Sequence, residues 1–129
     1  MSQKKNQVET YNEFQQTIMA EMQHAGRDLT VYLEQGFDWM QLSEICKGLE
    51  AGIDVSRYAK KEYFFLQMEQ LRLGLEEGID ITSYENPTYE HLVMAEIRQA
   101  VSEGIDLLPY VKSVTDGRIL REIRLAILH

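Results

Sequence analysis

The stretch Gly-Leu-Glu-Ala-Gly-Ile-Asp-Val-Ser-Arg-Tyr, residues 48–58, holds the pattern that decides the fold of this 129-residue chain. In its second half a glycine is followed two positions later by an aspartate, then by an apolar residue, and three residues after that by a tyrosine. The pattern occurs four times at intervals of 26 residues, without an insertion. Such a period indicates one supersecondary unit repeated along the chain. The copies begin at Gly26, Gly52, Gly78 and Gly104.

The repeat divides the chain into units of 26 residues. Residues 1–10 precede the first unit and are predicted to be mobile, because they form a polar terminal segment. Residues 11–129 are predicted to form a single helical-repeat domain. Its units are 11–36, 37–62, 63–88 and 89–114, with a partial fifth unit at 115–129.

The second unit indicates how each unit folds. Its apolar residues recur at helical spacing on one face, at Leu42, Ile45 and Leu49. Asp38 and Gln41 match a capping box, in which each side chain accepts from the other residue's backbone N–H. The sequence therefore predicts a helix from about Trp39 to Ala51.

The motif that follows this helix predicts a turn and a short second helix. Gly52 falls where a left-handed residue ends a helix, and Asp54 can cap the short helix that contains Tyr58. Pro87 should end the corresponding short helix of the third unit. The predicted fold is all-α, a short α-solenoid of about four and a half helix-turn-short-helix units. Its core column is Leu42, Met68, Met94 and Leu120, and a column of small residues for close helix approach is Gly48, Gly74, Ala100 and Ala126.

Composition excludes several classes of protein. The chain has 13 basic and 21 acidic residues, a net charge of −8, which argues against a nucleic-acid binder because phosphate binding needs clustered Lys and Arg. One cysteine excludes an internal disulfide framework and a zinc cluster built on cysteines. No apolar run approaches the roughly 18–20 residues of a membrane span, and the polar segment 1–9 does not resemble a signal peptide. We expect a cytoplasmic protein.

The residue types that carry chemistry do not converge in the sequence. The phased aspartates occur one per unit, so we interpret them as helix caps; the alternative is a metal site. The three histidines occupy different positions of the repeat, and Cys46 shares its position with arginines, which predicts an exposed free thiol. We predict no catalytic, cofactor-binding or metal-binding residue and no enzyme. An enzyme site assembled across units around His91 is the third hypothesis. The aspartates are Asp28, Asp54, Asp80 and Asp106.

The negative charge is unevenly distributed. Residues 62–106 contain ten acidic residues and two arginines, a net charge of −8, which equals that of the whole chain. This segment predicts an acidic surface that attracts a basic partner protein; a solvated face is the alternative. Trp39 and Phe65, which share one position of the repeat, are predicted to add apolar contact. The acidic candidates for partner binding are Glu69, Glu76, Glu77, Glu90, Glu96 and Glu103.

The last helix predicts a second kind of contact. It is apolar almost all round, whereas a terminal repeat normally has a polar outer face. Ile119, Leu125 and Leu128 fall outside the regular core columns and are predicted to form a homodimer interface. The arginine column of Arg72, Arg98 and Arg124 is interpreted as surface ion pairs, with Glu69 and Glu76 as the partners of Arg72 in its own helix.

The stretches 48–59 and 67–80 resemble a short helical repeat found in proteins of bacterial phages and mobile elements. The resemblance covers residues 11–129, and its motif carries no catalytic residue. A small acidic protein of that context resembles the counter-defence inhibitors of phages, including anti-CRISPR proteins. The leading hypothesis is a non-enzymatic protein-binding module, with the resemblance implying an inhibitor whose acidic surface binds a basic, nucleic-acid-binding host nuclease. The alternative is a structural or scaffolding homodimer.

Overall fold

All regular secondary structure in the computed structural model is helical over the residues it describes, 13–24 and 30–129. The predicted all-α class is therefore confirmed for this part of the chain. The predicted mobile segment 1–10 and the first copy of the motif, with Gly26 and Asp28, lie outside the described residues. The α-helices are α1 (Glu13–His24), α2 (Thr30–Glu34), α3 (Trp39–Ala51), α4 (Phe65–Glu77), α5 (His91–Glu103), α6 (Leu108–Val111) and α7 (Gly117–Leu128), and a 3-10 helix spans Val55–Arg57.

Helices α3, α4 and α5 each have 13 residues and share one register with the sequence motif. The predicted bounds of α3 are confirmed, and so is its capping box: Gln41 N donates to Asp38 Oδ1 at 2.8 Å and Asp38 N donates to Gln41 Oε1 at 2.9 Å. Each of the three helices is followed by a glycine whose φ is 74–75°, a conformation that other L-residues adopt only with strain. The glycines are Gly52, Gly78 and Gly104.

The connection after each long helix differs between units. In the second unit Asp54 accepts from Ser56 N at 3.1 Å and caps the 3-10 helix, as predicted. The short helix predicted before Pro87 was wrong: residues 82–84 form a turn. Asp80 caps Thr82 N, but the bond from Tyr84 N to Ile81 O is followed by no further helical bond, so the turn does not continue.

The long helices pack in chain order, α1 on α3, α3 on α4, α4 on α5, and α5 on α7. The predicted core column is confirmed, since all four of its side chains have no exposed surface. Burial of one such side chain stabilises the fold by about 1.5–3 kcal/mol. Among the described residues no helix is long and apolar enough to cross a bilayer. The core column is Leu42, Met68, Met94 and Leu120.

The small-residue column has a different cause from the one predicted. A Cβ built on Gly74 would lie 1.8 Å from the hydroxyl of Tyr84, in the same unit, so the glycine makes room for a tyrosine and not for a neighbouring helix. Tyr84 is fully buried, and its hydroxyl donates to Gln70 O at 3.2 Å. Gly48 and Tyr58 repeat this arrangement, so the hydroxyls of both tyrosines are buried.

Candidate interaction surfaces

Three arginines join successive long helices. Each Nε donates to a side-chain oxygen 28 residues earlier in the chain, at 2.8–3.0 Å. The acceptors are two glutamates and one glutamine, which occupy one position of the 26-residue repeat. We call this set the arginine ladder. Its pairs are Arg72 with Glu44, Arg98 with Gln70, and Arg124 with Glu96.

Each arginine of the ladder also bonds a second glutamate. Arg72 reaches Glu76 in its own helix, whereas Arg98 reaches back to Glu77. Arg124 donates through one nitrogen to both carboxylate oxygens of Glu103, at 2.7 and 2.8 Å. The side chain of Arg124 is only 9% exposed, so its charge is compensated between packed helices.

The prediction that the arginine column is exposed was therefore wrong. Arginine can lie between helices because its long apolar stem packs while its guanidinium reaches carboxylates. The predicted pair of Arg72 with Glu76 is present, but the 28-residue contacts were not anticipated.

The prediction that Cys46 is an exposed thiol was also wrong, because its side chain is buried. It occupies the arginine position of α3, and the matching acceptor position in α1 is the buried Ile18. Burial and a hydrogen bond to Glu50, with Sγ to Oε1 at 3.5 Å, raise the pKa of the Cys46 thiol to about 12. The first junction of the ladder is therefore apolar.

Cys46 also lies in a small group of potential metal ligands. Ligand atoms of Glu21, Cys46 and Glu50 are all within 4.8 Å of one another. Metal ions bind the thiolate form of cysteine, which the raised pKa disfavours, and the thiol proton already bonds Glu50. We assign no metal site to this group.

Three of the four phased aspartates make the backbone contact of a cap, but only Asp54 is confirmed as the cap of a helix, since Asp80 precedes a turn and the N-cap of α6 is Leu107. They accept from backbone N–H groups two residues later at 3.0–3.1 Å, and the fourth, Asp28, lies outside the described residues. Hydrogen bonds from Ser56 lower the pKa of Asp54, and those from Thr82 lower the pKa of Asp80.

Four of the six predicted acidic binding residues are held by the ladder. Glu69 and Glu90 make no ion pair with any described residue, and Glu90 is exposed. Their charges are the ones that a basic partner could use without competing with an arginine of the chain. The residues that pair within the chain are Glu76, Glu77, Glu96 and Glu103.

The aromatic candidates lie beside a more exposed residue. Trp39 and Phe65 are half-buried, whereas Phe64 is 54% exposed and contacts the ring of Phe65 at a centroid distance of 4.7 Å. His91 packs near Phe64 at 6.5 Å between ring centroids. Phe64 was not among the predicted contact residues, although it adjoins Phe65 in the sequence.

One face of α7 is exposed although the same positions are covered in earlier units. Ile119 is 51% exposed, whereas Val93, which precedes it by one unit, is 4% exposed under α7. Ile127 on the same face is 46% exposed. Of the predicted dimer residues, Ile119 and Leu128 are exposed and Leu125 is half-buried.

The position of Ile119 is buried in the three preceding units, where it holds Gln41, Gln67 and the apolar Val93. Ile127 and Glu122, which repeat the positions of Val101 and Glu96, were not among the predicted residues. The 26-residue register was the signal that could have identified both.

Comparison with family models, with curated proteins and with solved structures found no match to this chain.

Proposed function

We propose that this protein is a non-enzymatic protein-binding module, a short α-solenoid of 26-residue units that binds another protein through the exposed face of α7. We call this surface the α7 face and define it by Ile119, Glu122, Ile123, Ala126 and Ile127. The observation that carries the proposal is the contrast between Ile119, 51% exposed, and Val93, 4% exposed at the same position of the preceding unit. Exposed apolar residues gathered on one face are typical of a surface that binds a partner.

The position of the exposed residues on α7 supports this proposal and provides a matched control. Ile119 and Ile127 share positions with buried or half-buried residues of the three preceding units. Leu128, which was predicted as an interface residue, shares its position with exposed polar residues and is therefore left out of the α7 face. Leu128 is as exposed as Ile127, at 46%. A charge at Leu128 should therefore leave binding intact, whereas a charge at Ile119 should remove it.

Affinity capture from a bacterial lysate, read by mass spectrometry, tests the proposal. Proteins retained by the wild type and by Leu128→Glu, but not by Ile119→Glu, would support it. Retention of the same proteins by all three would contradict it. Circular dichroism checks that Ile119→Glu is folded.

Sedimentation velocity of the same three proteins tests the homodimer. A dimer in the wild type that Ile119→Glu converts to a monomer would identify a second copy as the partner of this face. A wild-type monomer would contradict the homodimer alternative.

A second candidate surface is the acidic segment 62–106, favoured by its net charge of −8. Under this proposal it binds the basic nucleic-acid channel of a host defence nuclease. Glu69 and Glu90 are the residues to test, since reversing the ladder glutamates would also remove ion pairs that hold the helices together.

We expect Glu69→Lys with Glu90→Lys to reduce inhibition of DNA cleavage, measured on a panel of CRISPR nucleases at low salt. Glu34→Lys with Glu50→Lys serves as a control with equal charge change outside the acidic segment. Equal inhibition by the two double variants would contradict a role for this surface.

A further inference from the structure

The α7 face repeats the face of α5 that α7 itself covers. The two faces carry the same residue classes at all five positions, one unit apart. On α5, Glu96 of this surface accepts from Arg124 of α7, and of its four apolar side chains three are buried and one is half-buried. The position of Ala100 is the one at which Gly74 faces the tyrosine of its own unit. The pairs of positions are Val93 and Ile119, Glu96 and Glu122, Ile97 and Ile123, Ala100 and Ala126, and Val101 and Ile127.

Glu122 indicates the chemistry of the partner that this face would bind. Its counterparts in the three preceding long helices, Glu44, Gln70 and Glu96, each accept from an arginine on the next helix at 2.8–3.0 Å. Glu122 is exposed and makes no ion pair within the described ranges. The face therefore combines an apolar surface with a carboxylate placed where this fold receives an arginine.

The helices that cover such a face share one pattern. In each, buried or half-buried apolar residues stand four positions and one position before the ladder arginine. The spacing places both apolar side chains beside the arginine on one side of the helix. The three examples are Met68, Leu71 and Arg72; Met94, Ile97 and Arg98; and Leu120, Ile123 and Arg124.

We propose that the α7 face binds an α-helix of a partner protein that carries the pattern apolar-x-x-apolar-Arg, with its arginine paired to Glu122. This inference rests on the proposed function and adds the chemistry of the partner. The partner is then expected to present a helix with one arginine at the edge of an apolar stripe, and not a generally basic surface.

A second copy of the chain supplies this pattern poorly. The first long helix has Ala20 at the arginine position, so packing of α1 from another copy would leave Glu122 unpaired. In α7 the pattern is complete, but Arg124 is 9% exposed and bonds Glu96 and Glu103 of its own chain. Another copy could offer that arginine only after unpacking its own α7.

The test uses a labelled peptide with the sequence of residues 104–129, which contains the pattern, titrated into the full chain by fluorescence anisotropy. We expect saturable binding that Glu122→Ala, which removes the acceptor, weakens about tenfold, the size expected for one charge-assisted pair. The peptide variant Arg124→Met should weaken binding equally. Combining both changes should cause no further loss, because the same contact is removed twice.

Two protein variants separate this inference from the proposed function. Leu128→Glu should bind the peptide as the wild type does, and Ile119→Glu should not bind it. If Glu122→Ala binds as tightly as the wild type while Ile119→Glu fails, the arginine pairing is overturned and the α7 face remains a binding surface. No peptide binding by the wild type, or a wild-type dimer that Ile119→Glu disrupts and Glu122→Ala does not, would also overturn the inference.

Discussion

The middle of the chain and its two ends use the same positions of the repeat in different ways. Between α3 and α4 the ladder position holds an ion pair, Arg72 with Glu44, whereas between α1 and α3 it holds the apolar pair Cys46 and Ile18. The same pair of positions therefore holds an ion pair at one junction and an apolar pair at another.

The tyrosine position differs between the middle and the ends in the same manner. Tyr84 is buried beside Gly74, whereas Tyr110 in the fourth unit is 38% exposed where Ala100 replaces the glycine. In the first unit Met22 takes the glycine position and Tyr32 is half-buried. A tyrosine is thus fully buried in the two units whose helix provides a glycine for its hydroxyl.

The largest effect is expected from breaking the middle of the ladder. Arg72→Ala should reduce the free energy of unfolding by about 3 kcal/mol, because it leaves the buried carboxylate of Glu44 without its arginine. Arg98→Ala is the matched control, since its Nε partner is the neutral Gln70, and it should cost about 1 kcal/mol. Urea unfolding of both variants measures the difference. Equal losses of stability would show that pairing the charge of Glu44 contributes no more than pairing the neutral Gln70.

The glycine that accommodates Tyr84 gives the next prediction. Gly74→Ala places a Cβ 1.8 Å from the tyrosine hydroxyl and 2.6 Å from Ile81 Cγ2, so we expect a loss of about 2 kcal/mol from overpacking. Thermal and urea unfolding measure the loss. Tyr84→Phe in the same background should recover part of it by removing the hydroxyl. Ala100→Gly, the reverse change at the end, should cost no more than about 1 kcal/mol of helix propensity.

A smaller effect is expected from converting the apolar junction into a ladder junction. Cys46→Arg alone introduces a guanidinium opposite Ile18, with Glu50 available four residues later as Glu76 is for Arg72. Adding Ile18→Glu should restore the acceptor. We expect a favourable coupling of about 1 kcal/mol in a double-mutant cycle. Additive effects would contradict the equivalence of the two junctions.

The last prediction concerns reactivity and not stability. The pKa of about 12 keeps Cys46 protonated at neutral pH, so a thiol reagent should modify the native chain far more slowly than the unfolded chain at pH 8. Raising the pH from 8 to 9 should increase the native rate in proportion to the small thiolate fraction. Absorbance of released reagent measures both rates. A rate in native buffer equal to that in urea would contradict burial.

The sequence was sufficient to predict the features that depend on residues close together in the chain. The bounds of α3 followed from the capping box at Asp38 and Gln41, the apolar spacing and Gly52, all within 15 residues. The glycine recurs after α4 and α5, and the core column followed from the same register, but the capping signal of Asp38 does not recur before these two helices.

The interaction surfaces could not be predicted as well, because they depend on how helices cross. The ladder joins residues 28 apart, one unit plus two positions, and no local pattern identifies that offset. Cys46 was misjudged because an arginine at the same position was taken as evidence of solvent. The burial of Tyr84 and the exposure of Tyr110 depend on a single methyl group in a different helix.

The ladder has a consequence for how the length of this protein can change. Every hydrogen bond between units described above spans 21 or 28 residues, so among the described residues these bonds join only neighbouring units. Deleting residues 63–88 would bring Arg98 into the position of Arg72, opposite Glu44, with every other register intact. Duplication of the same segment would insert one more identical junction. Loss or gain of 26 residues is therefore expected to disturb the packing of this chain less than loss or gain of one residue.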